Sequence, residues 1–549
     1  MTEHSFTSST TGEDPTQEEE TTPRAAQTPP PRGGRRPWAL IGVALVLFGL
    51  GAILVSTAFN NSEPQVKALP GNLPVNPGAS VATDISAHNS PTLARNPKDS
   101  ANLAVADRID TPRFSCALQV SFDAGEHWTQ VAVPAPPEER ICYAPDVTFG
   151  ADGTLYYSFV TLRGRANAPN EAWLVTSRDG GQTLSEPEPI QPLGALSFQV
   201  RMSADPKVPG RLYLTWLEAS EVGLYKFTQT GNPIRFTRSD DGGRTWRAPV
   251  RVSSSARPRV VAPSSAVGPK GELYVAYLDL GEDRLDYEGA HEGRGGRPYG
   301  GPWQLVVARS RDGGGTWQES VAEERLMPSE RFIVFTPPSP SVAVDPDDGR
   351  IYVGFHDGRG GDADVLLWSL GSEANSWTGP KRVNDTPASD RTAQYLPKLS
   401  VAPDGRLDVV YYDRRADRDN VLNEVSLQSS FDRGESFTRR VRLSERSFSS
   451  RIGYGSERGM PDLGSRLGLV SADERAMAVW SDTRGGNTAS NKQDIARGVV
   501  AFSEPPRLSA PVRIGLLIGG VLLALAGAFL LITRAAGLGA GRGSAPGRR

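Results

Sequence analysis

Two stretches of the chain carry no charge at all. Residues 38–59 read WALIGVALVLFGLGAILVSTAF and residues 514–533 read IGLLIGGVLLALAGAFLLIT. As helices rising ~1.5 Å per residue, each is long enough to cross a hydrocarbon core of roughly 30 Å. Buried core helices are rarely so long and so uniformly apolar, so both are predicted to span a membrane. Between them the pattern changes to short apolar runs broken by Pro, Asp and Gly, which predicts strands joined by tight turns.

Those strands repeat. Five segments share the spacing S-x-D-x-G-x-x-aromatic or a near variant: Ser121–Trp128, Ser177–Leu184, Ser239–Trp246, Ser310–Trp317 and Ser430–Phe437. A sixth, Ser369–Trp377, is degenerate. Asp accepts N–H groups of the turn, Gly supplies a positive φ, and the aromatic packs beneath. The motif is a folding staple. A second repeat precedes each staple, an apolar strand starting at Asn102, Thr154, Arg211, Glu272, Arg350, Arg406 and Arg475. Each unit reads as a four-stranded antiparallel sheet, and radial repetition of such sheets gives an all-β propeller. Seven blades are favoured and six is the alternative, with residues 81–86 expected as the outer strand that closes the last blade.

Composition narrows the class. Lys and Arg number 60 against 63 Asp and Glu, a net charge of −3, so the basic surplus a nucleic-acid binder needs is missing. With Cys 2, neither a disulfide framework nor a four-cysteine zinc site can be built. The Gly 58 and Pro 44 suit a chain of many turns. Arg24, Arg32, Arg35 and Arg36 precede the first span, and Arg534, Arg542, Arg548 and Arg549 follow the second. This bias predicts a two-pass cell-membrane protein with both termini cytoplasmic and the propeller extracellular. The expected organisation is a disordered tail (1–37), a span (38–59), a linker (60–80), the propeller (81–502), a linker (503–513), a span (514–533) and a basic tail (534–549).

The staples are those called Asp boxes, or BNR repeats, and over residues 80–502 the chain resembles the sialidase (neuraminidase) superfamily. It is similar in particular to membrane-anchored sialidase-like proteins of actinobacteria. The resemblance implies a retaining exo-glycosidase in which a Tyr paired with a Glu is the nucleophile. It also implies an Asp acid/base and arginines that grip a substrate carboxylate, since guanidinium forks match carboxylate oxygens. Asp110, ahead of the first staple, is the expected acid/base, and Tyr395 with Glu424 the nucleophile pair. Two signatures depart from the family: the first inner strand reads Asn89-Ser-Pro-Thr-Leu-Ala where Phe/Tyr-Arg-Ile-Pro is usual, and Gly464-Ser-Arg466-Leu-Gly stands where Gly-Asp-Tyr is common.

Propeller topology puts the ends of the second strands and the starts of the innermost strands on the face opposite the staples. There lie Asp107-Arg108, Asp357-Gly-Arg359, Asp413-Arg-Arg415 and Asp482-Thr-Arg484, with Arg201, Tyr143, Tyr395, Arg458 and Arg466 at inner-strand starts. Arg108, Arg201, Arg359, Arg415, Arg466 and Arg484 are the candidate substrate-binding residues. The competing reading is that each Asp–Arg pair ties a loop to its own blade. Arg201 and Arg466 break the repeat and fit a binding role better. Cys116 and Cys142 fall near this face in adjacent blades and are expected to form a disulfide.

Other chemistry is poorly represented. His88, His127, His291 and His356 are scattered, no metal or cofactor motif occurs, and the acidic stretch Asp357–Asp364 reads as a solvated loop before a Ca²⁺ site. The insertion Gly281–Pro302 is either a rim lid or a plain loop. Two functions follow: a membrane-tethered exo-α-sialidase-like hydrolase of sialylated or other acidic extracellular glycans, or a non-catalytic propeller that binds a glycan or protein at the cell surface.

Overall fold

The staple glycines show how the blades are assembled. In the computed structural model, Gly125, Gly181, Gly243, Gly314 and Gly434 all have positive φ, between 86° and 103°. A Cβ on Gly181, Gly243, Gly314 or Gly434 would collide with Val120, Leu174, Phe236 or Leu367, each on the third strand of the preceding blade. A Cβ on Gly125 would meet Met477 of the last blade. Each staple therefore seats its blade on the one before. The turn itself is held as the spacing predicts. In the fourth staple the Ser310 hydroxyl donates to Asp312 (2.7 Å), Gly314 N–H donates to Ser310 Oγ (2.8 Å), and Thr316 N–H donates to Asp312 (2.9 Å).

The structure describes residues 37–58, 64–136, 141–164, 167–220, 230–283, 299–329, 338–388, 390–456, 463–503 and 510–539. Residues 1–36 and 540–549 of the expected tails, most of the 281–302 insertion and Arg458 lie outside them, and the helix Ala510–Gly539 takes in the start of the expected basic tail. Two compact units result, Pro64–Ser503 and the terminal helices.

The larger unit is a seven-bladed β-propeller of antiparallel sheets, which decides against six blades. Blades 1 to 6 are built from consecutive strands, and blade 6 carries a short extra strand, Phe448–Ser449. Blade 7 combines Gly468–Ser471, Arg475–Asp482 and Asp494–Ser503 with Gln65–Ala68, which pairs so that Gln65 lies opposite Ser503. The ring is thus closed by residues 65–68, not 81–86. Val66 and Ala68 pack on the apolar core while Val81 and Ile85 are exposed in a turn region. Lys492 fixes that region by donating to the carbonyls of Gly78, Ala79 and Val81. Part of the stretch read as a linker is therefore sheet.

The strand Asp494–Ser503 ends on the staple face, where Phe502 meets Phe431 of the blade 6 staple with ring centroids 6.3 Å apart. Both chain ends of the propeller leave from that side, and the opposite face carries none. On this opposite face Cys116 of blade 1 and Cys142 of blade 2 form a disulfide with Cα atoms 5.5 Å apart.

In the smaller unit, helices Pro37–Ala58 and Ala510–Gly539 are each long and apolar enough to cross a membrane. They pack through glycine. A Cβ on Gly49 would lie 2.4 Å from the Gly520 carbonyl oxygen, and one on Gly527 would lie 2.6 Å from that of Gly42. The pairings 42 with 527 and 49 with 520 make the helices antiparallel, the close approach small residues permit.

Candidate functional site

The innermost strands share an irregularity that decides what faces the propeller axis. The third residue of five of them is left-handed: Ser90 (φ 54°), Ala144 (50°), Gln199 (53°), Ala262 (61°) and Leu396 (55°). Pairing with the second strand skips at this point in all five. Such a bulge re-aims the side chains that follow. The second residue of each strand, Asn89, Tyr143, Phe198, Val261 or Tyr395, stays on the near side of the bulge. The fifth residue turns to the axis. Thr92, Asp146, Arg201, Ser264, Ser341, Lys398 and Arg466, one from each blade in turn, line a polar cavity of about 130 Å³ there.

Of the ionic groups in this ring, Asp146 is buried and committed, its carboxylate accepting Met202 N–H (3.0 Å) and Val147 N–H (3.2 Å). Arg466 is also committed. Its Nε–H donates to the Ser90 carbonyl oxygen at 2.9 Å, and its Nη2 to that of Pro145, so it bridges blade 7 to blades 1 and 2. Arg201 and Lys398 are half-buried and make no hydrogen bond or ion pair among the described residues. Burial draws the Lys398 ammonium below its usual pKa, with Asp146 opposing and Arg201 adding to the effect. Burial likewise lowers Arg201, again against Asp146.

The remaining candidates lie elsewhere. Arg108 and Asp110 form a buried ion pair (2.6 Å), with Asn89 donating to Asp110 (2.8 Å) and Arg108 to the Tyr143 hydroxyl (2.8 Å). Arg359, Arg415 and Arg484 each fold back on the Asp two residues earlier, at 2.7, 2.6 and 2.6 Å. Each also reaches an acidic residue of the preceding blade or the segment leaving it: Glu323 (2.9 Å), Asp385 (2.6 Å) and Glu445 (3.6 Å). These three Asp-x-Arg units are inter-blade clasps and do not converge on the axis.

Tyr395 and Glu424 are not brought together. The Tyr395 hydroxyl donates to Asn423 Oδ1 (2.9 Å), accepts from Arg414 (3.3 Å) and is fully buried, which raises its pKa. Glu424 is held by Arg440 (2.6 Å) and Arg442 (2.9 Å). Burial alone would raise its pKa, but these two cations outweigh it and the carboxyl stays lowered. A Tyr–Glu contact does occur between Tyr277 and Glu319, with Arg257 on the same carboxylate (3.0 Å). Tyr277 is buried there and neither residue lines the axial cavity.

Sequence reasoning passed over Lys398 and Asp146. A signal for both exists: Ser90-Pro-Thr92, Ala144-Pro-Asp146, Ala262-Pro-Ser264, Ser339-Pro-Ser341 and Leu396-Pro-Lys398 repeat an x-Pro-polar step in five inner strands.

No family model matches the chain, and no curated protein matches it. Among solved structures it is similar to a protein of unknown function from Dyadobacter fermentans (14% identity, 80% of this chain and 100% of that one, TM-score 0.46). It is also similar to the Hadza microbial sialidase Hz136 (14% identity, 73% of each chain, TM-score 0.41). A third is an α-L-arabinofuranosidase from Fusarium graminearum (15% identity, 67% of this chain and 95% of that one, TM-score 0.40). At such identities these likenesses assign no activity.

Proposed function

We propose that the chain is a membrane-tethered propeller that binds an acidic glycan or glycoconjugate at its axial mouth without cleaving it. In this reading the propeller is extracellular and both tails are cytoplasmic. The antiparallel helix pair supports two ends on one side. The reading is carried by one contrast. The groups expected to perform hydrolysis, Asp110, Tyr395 and Glu424, are buried and each is held by neighbouring side chains, whereas the side chains of the axial cations Arg201 and Lys398 make no hydrogen bond or ion pair among the described residues.

Exo-α-sialidase-like hydrolysis is the second reading, favoured by the staple repeats together with an arginine on the axis. The two separate on one preparation. Full-length protein in detergent micelles is applied to a glycan array and, in parallel, to an aryl α-sialoside. Retention of acidic glycans with no release of the aryl group supports the binding module; sustained release transfers the conclusion to the hydrolase. Failure to retain any acidic glycan removes the binding proposal.

A further inference from the structure

Two lysines of the propeller differ in what surrounds their amines. Buried Lys492 donates to the carbonyl oxygens of Gly78, Ala79 and Val81. Lys398 lines the axial cavity, and its side chain makes no hydrogen bond or ion pair among the described residues. The charged groups that line the cavity with it are Asp146 of blade 2, Arg201 of blade 3 and Arg466 of blade 7. Arg466 is taken up by two carbonyl oxygens, and Asp146 accepts two backbone N–H groups. Desolvation and a neighbouring guanidinium both favour an uncharged amine. Burial lowers the pKa of Lys398, with Asp146 opposing and Arg201 adding to the effect. An uncharged lysine amine is a nucleophile.

The wall beside that amine has donors in reserve. Ser339 Oγ is buried with no hydrogen-bond partner. Ser341 Oγ accepts Leu399 N–H (2.9 Å), which leaves its own O–H to give. Size restricts what can be attached. A cavity of about 130 Å³ has room for several waters but lies well below the roughly 300 Å³ at which pockets for whole small molecules begin. The carbon and two oxygens of a single carboxyl group fit.

We propose that Lys398 is a carboxylation site: its uncharged amine adds carbon dioxide, and the carbamate so formed is held by Arg201 and the hydroxyls of Ser339 and Ser341. The nitrogen lone pair makes the new N–C bond, one C=O π pair moves onto oxygen, and the nitrogen releases a proton to solvent. Nothing is oxidised or reduced. The ring then holds two cations, Arg201 and Arg466, and two anions, Asp146 and the carbamate. Its unmatched positive charge becomes an ion pair with a guanidinium fork. The assignment goes beyond the glycan reading and does not depend on it, since it concerns the chain's own amine.

The test uses the full-length chain in detergent micelles, equilibrated with ¹³C-labelled carbon dioxide at mildly alkaline pH and observed by ¹³C NMR. A carbamate resonance is expected in the parent and not in Lys398→Arg, which keeps a cation in the ring. The α-amino group also takes up carbon dioxide, but it contributes equally to both and cancels. Because the addition releases a proton, occupancy at fixed carbon dioxide pressure should rise with pH and vanish on acidification. Alkylation with triethyloxonium then fixes the carbamate as its ethyl ester. Peptide mass spectrometry should find that ester on Lys398, and not on partnered Lys492 or on exposed Lys98 and Lys270, which stay protonated. Arg201→Met should lower the occupancy roughly ten- to a hundredfold. A carbamate spectrum identical in the parent and Lys398→Arg overturns the proposal, as does an ester spread evenly over Lys98, Lys270 and Lys398. Unchanged occupancy in Arg201→Met overturns the grip by that residue. Glycan retention is scored separately on the array, so either reading can fail while the other stands.

Discussion

Arg466 gives its Nε–H to the carbonyl oxygen of Ser90, 2.9 Å away, across the seam where blade 7 meets blade 1. The side chain of Arg201, which lines the same cavity from blade 3, makes no comparable contact among the described residues. Two arginines of one cavity thus have opposite structural roles. Arg466→Met should cost about 1–3 kcal/mol, because buried carbonyls lose their donor. Arg201→Met should leave stability unchanged or raise it when no acidic glycan is present. Urea unfolding of the two variants checks the difference in sign.

The Asp-x-Arg clasps make a second contrast testable. Asp482 is buried and Arg484 nearly so, with nitrogen and oxygen 2.6 Å apart. Arg484→Met leaves a buried carboxylate without its partner and should cost roughly 3 kcal/mol or more. Combining it with Asp482→Asn should recover most of the loss. A double-mutant cycle measured by chemical denaturation decides it, and additivity of the two changes would contradict the clasp.

The staples set an acid limit. The hydrogen bond from His127 N–H heads the interactions that bring Asp123 down to about 2. In Asp241 burial pushes the carboxyl up, but the hydrogen bonds from Thr245 and Ser239 together outweigh it, and the carboxyl again falls to about 2. Folded carboxylates with lowered pKa contribute stability above the ordinary value of ~3.8, and lose it as pH falls towards 2. Tm should be flat from about pH 6 to 5 and decline below about pH 4. Asp241→Asn should lower Tm at pH 7 and converge with the parent near pH 2. His88 has the opposite sign. Burial lowers its pKa but the Asp107 carboxylate 2.6 Å away raises it on balance. Its contribution is therefore complete below ~6.5 and is lost as pH rises through the raised value. His88→Gln should remove that alkaline loss.

The disulfide between Cys116 and Cys142 closes a segment of sequence separation 26 between adjacent blades. Removing it by Cys116→Ser with Cys142→Ser should cost about 3 kcal/mol by the loop-entropy relation. A reducing agent should lower the Tm of the parent protein and leave the double variant unaffected.

The blades were readable because local chemistry repeats: Ser, Asp and Gly at fixed offsets make the same turn wherever they occur. The closing strand was not, because Gln65–Ala68 is only four residues long and lies in a Pro-, Asn- and Gly-rich stretch. Its alternation of Val66 and Ala68 with outward residues becomes significant only once Asp494–Ser503 is beside it. The axial ring was hidden for another reason. Simple two-residue alternation does not survive a bulge, so Tyr395 faces the core while Lys398, three residues on, faces the axis. Arg201 stood out because it breaks the repeat, whereas the clasps repeat and are structural.

The pairing of Gln65 with Ser503 also imposes an order of events during synthesis. The segment that completes blade 7 emerges directly after the first apolar helix, yet its partner strand is among the last parts of the propeller to be made. Until then, the early segment waits as an unsatisfied edge, exposed to wrong partners and proteases. Contacts so distant along the chain form slowly. A chain halted before Asp494 lacks the strand that Gln65–Ala68 pairs with, and blade 7 stays open.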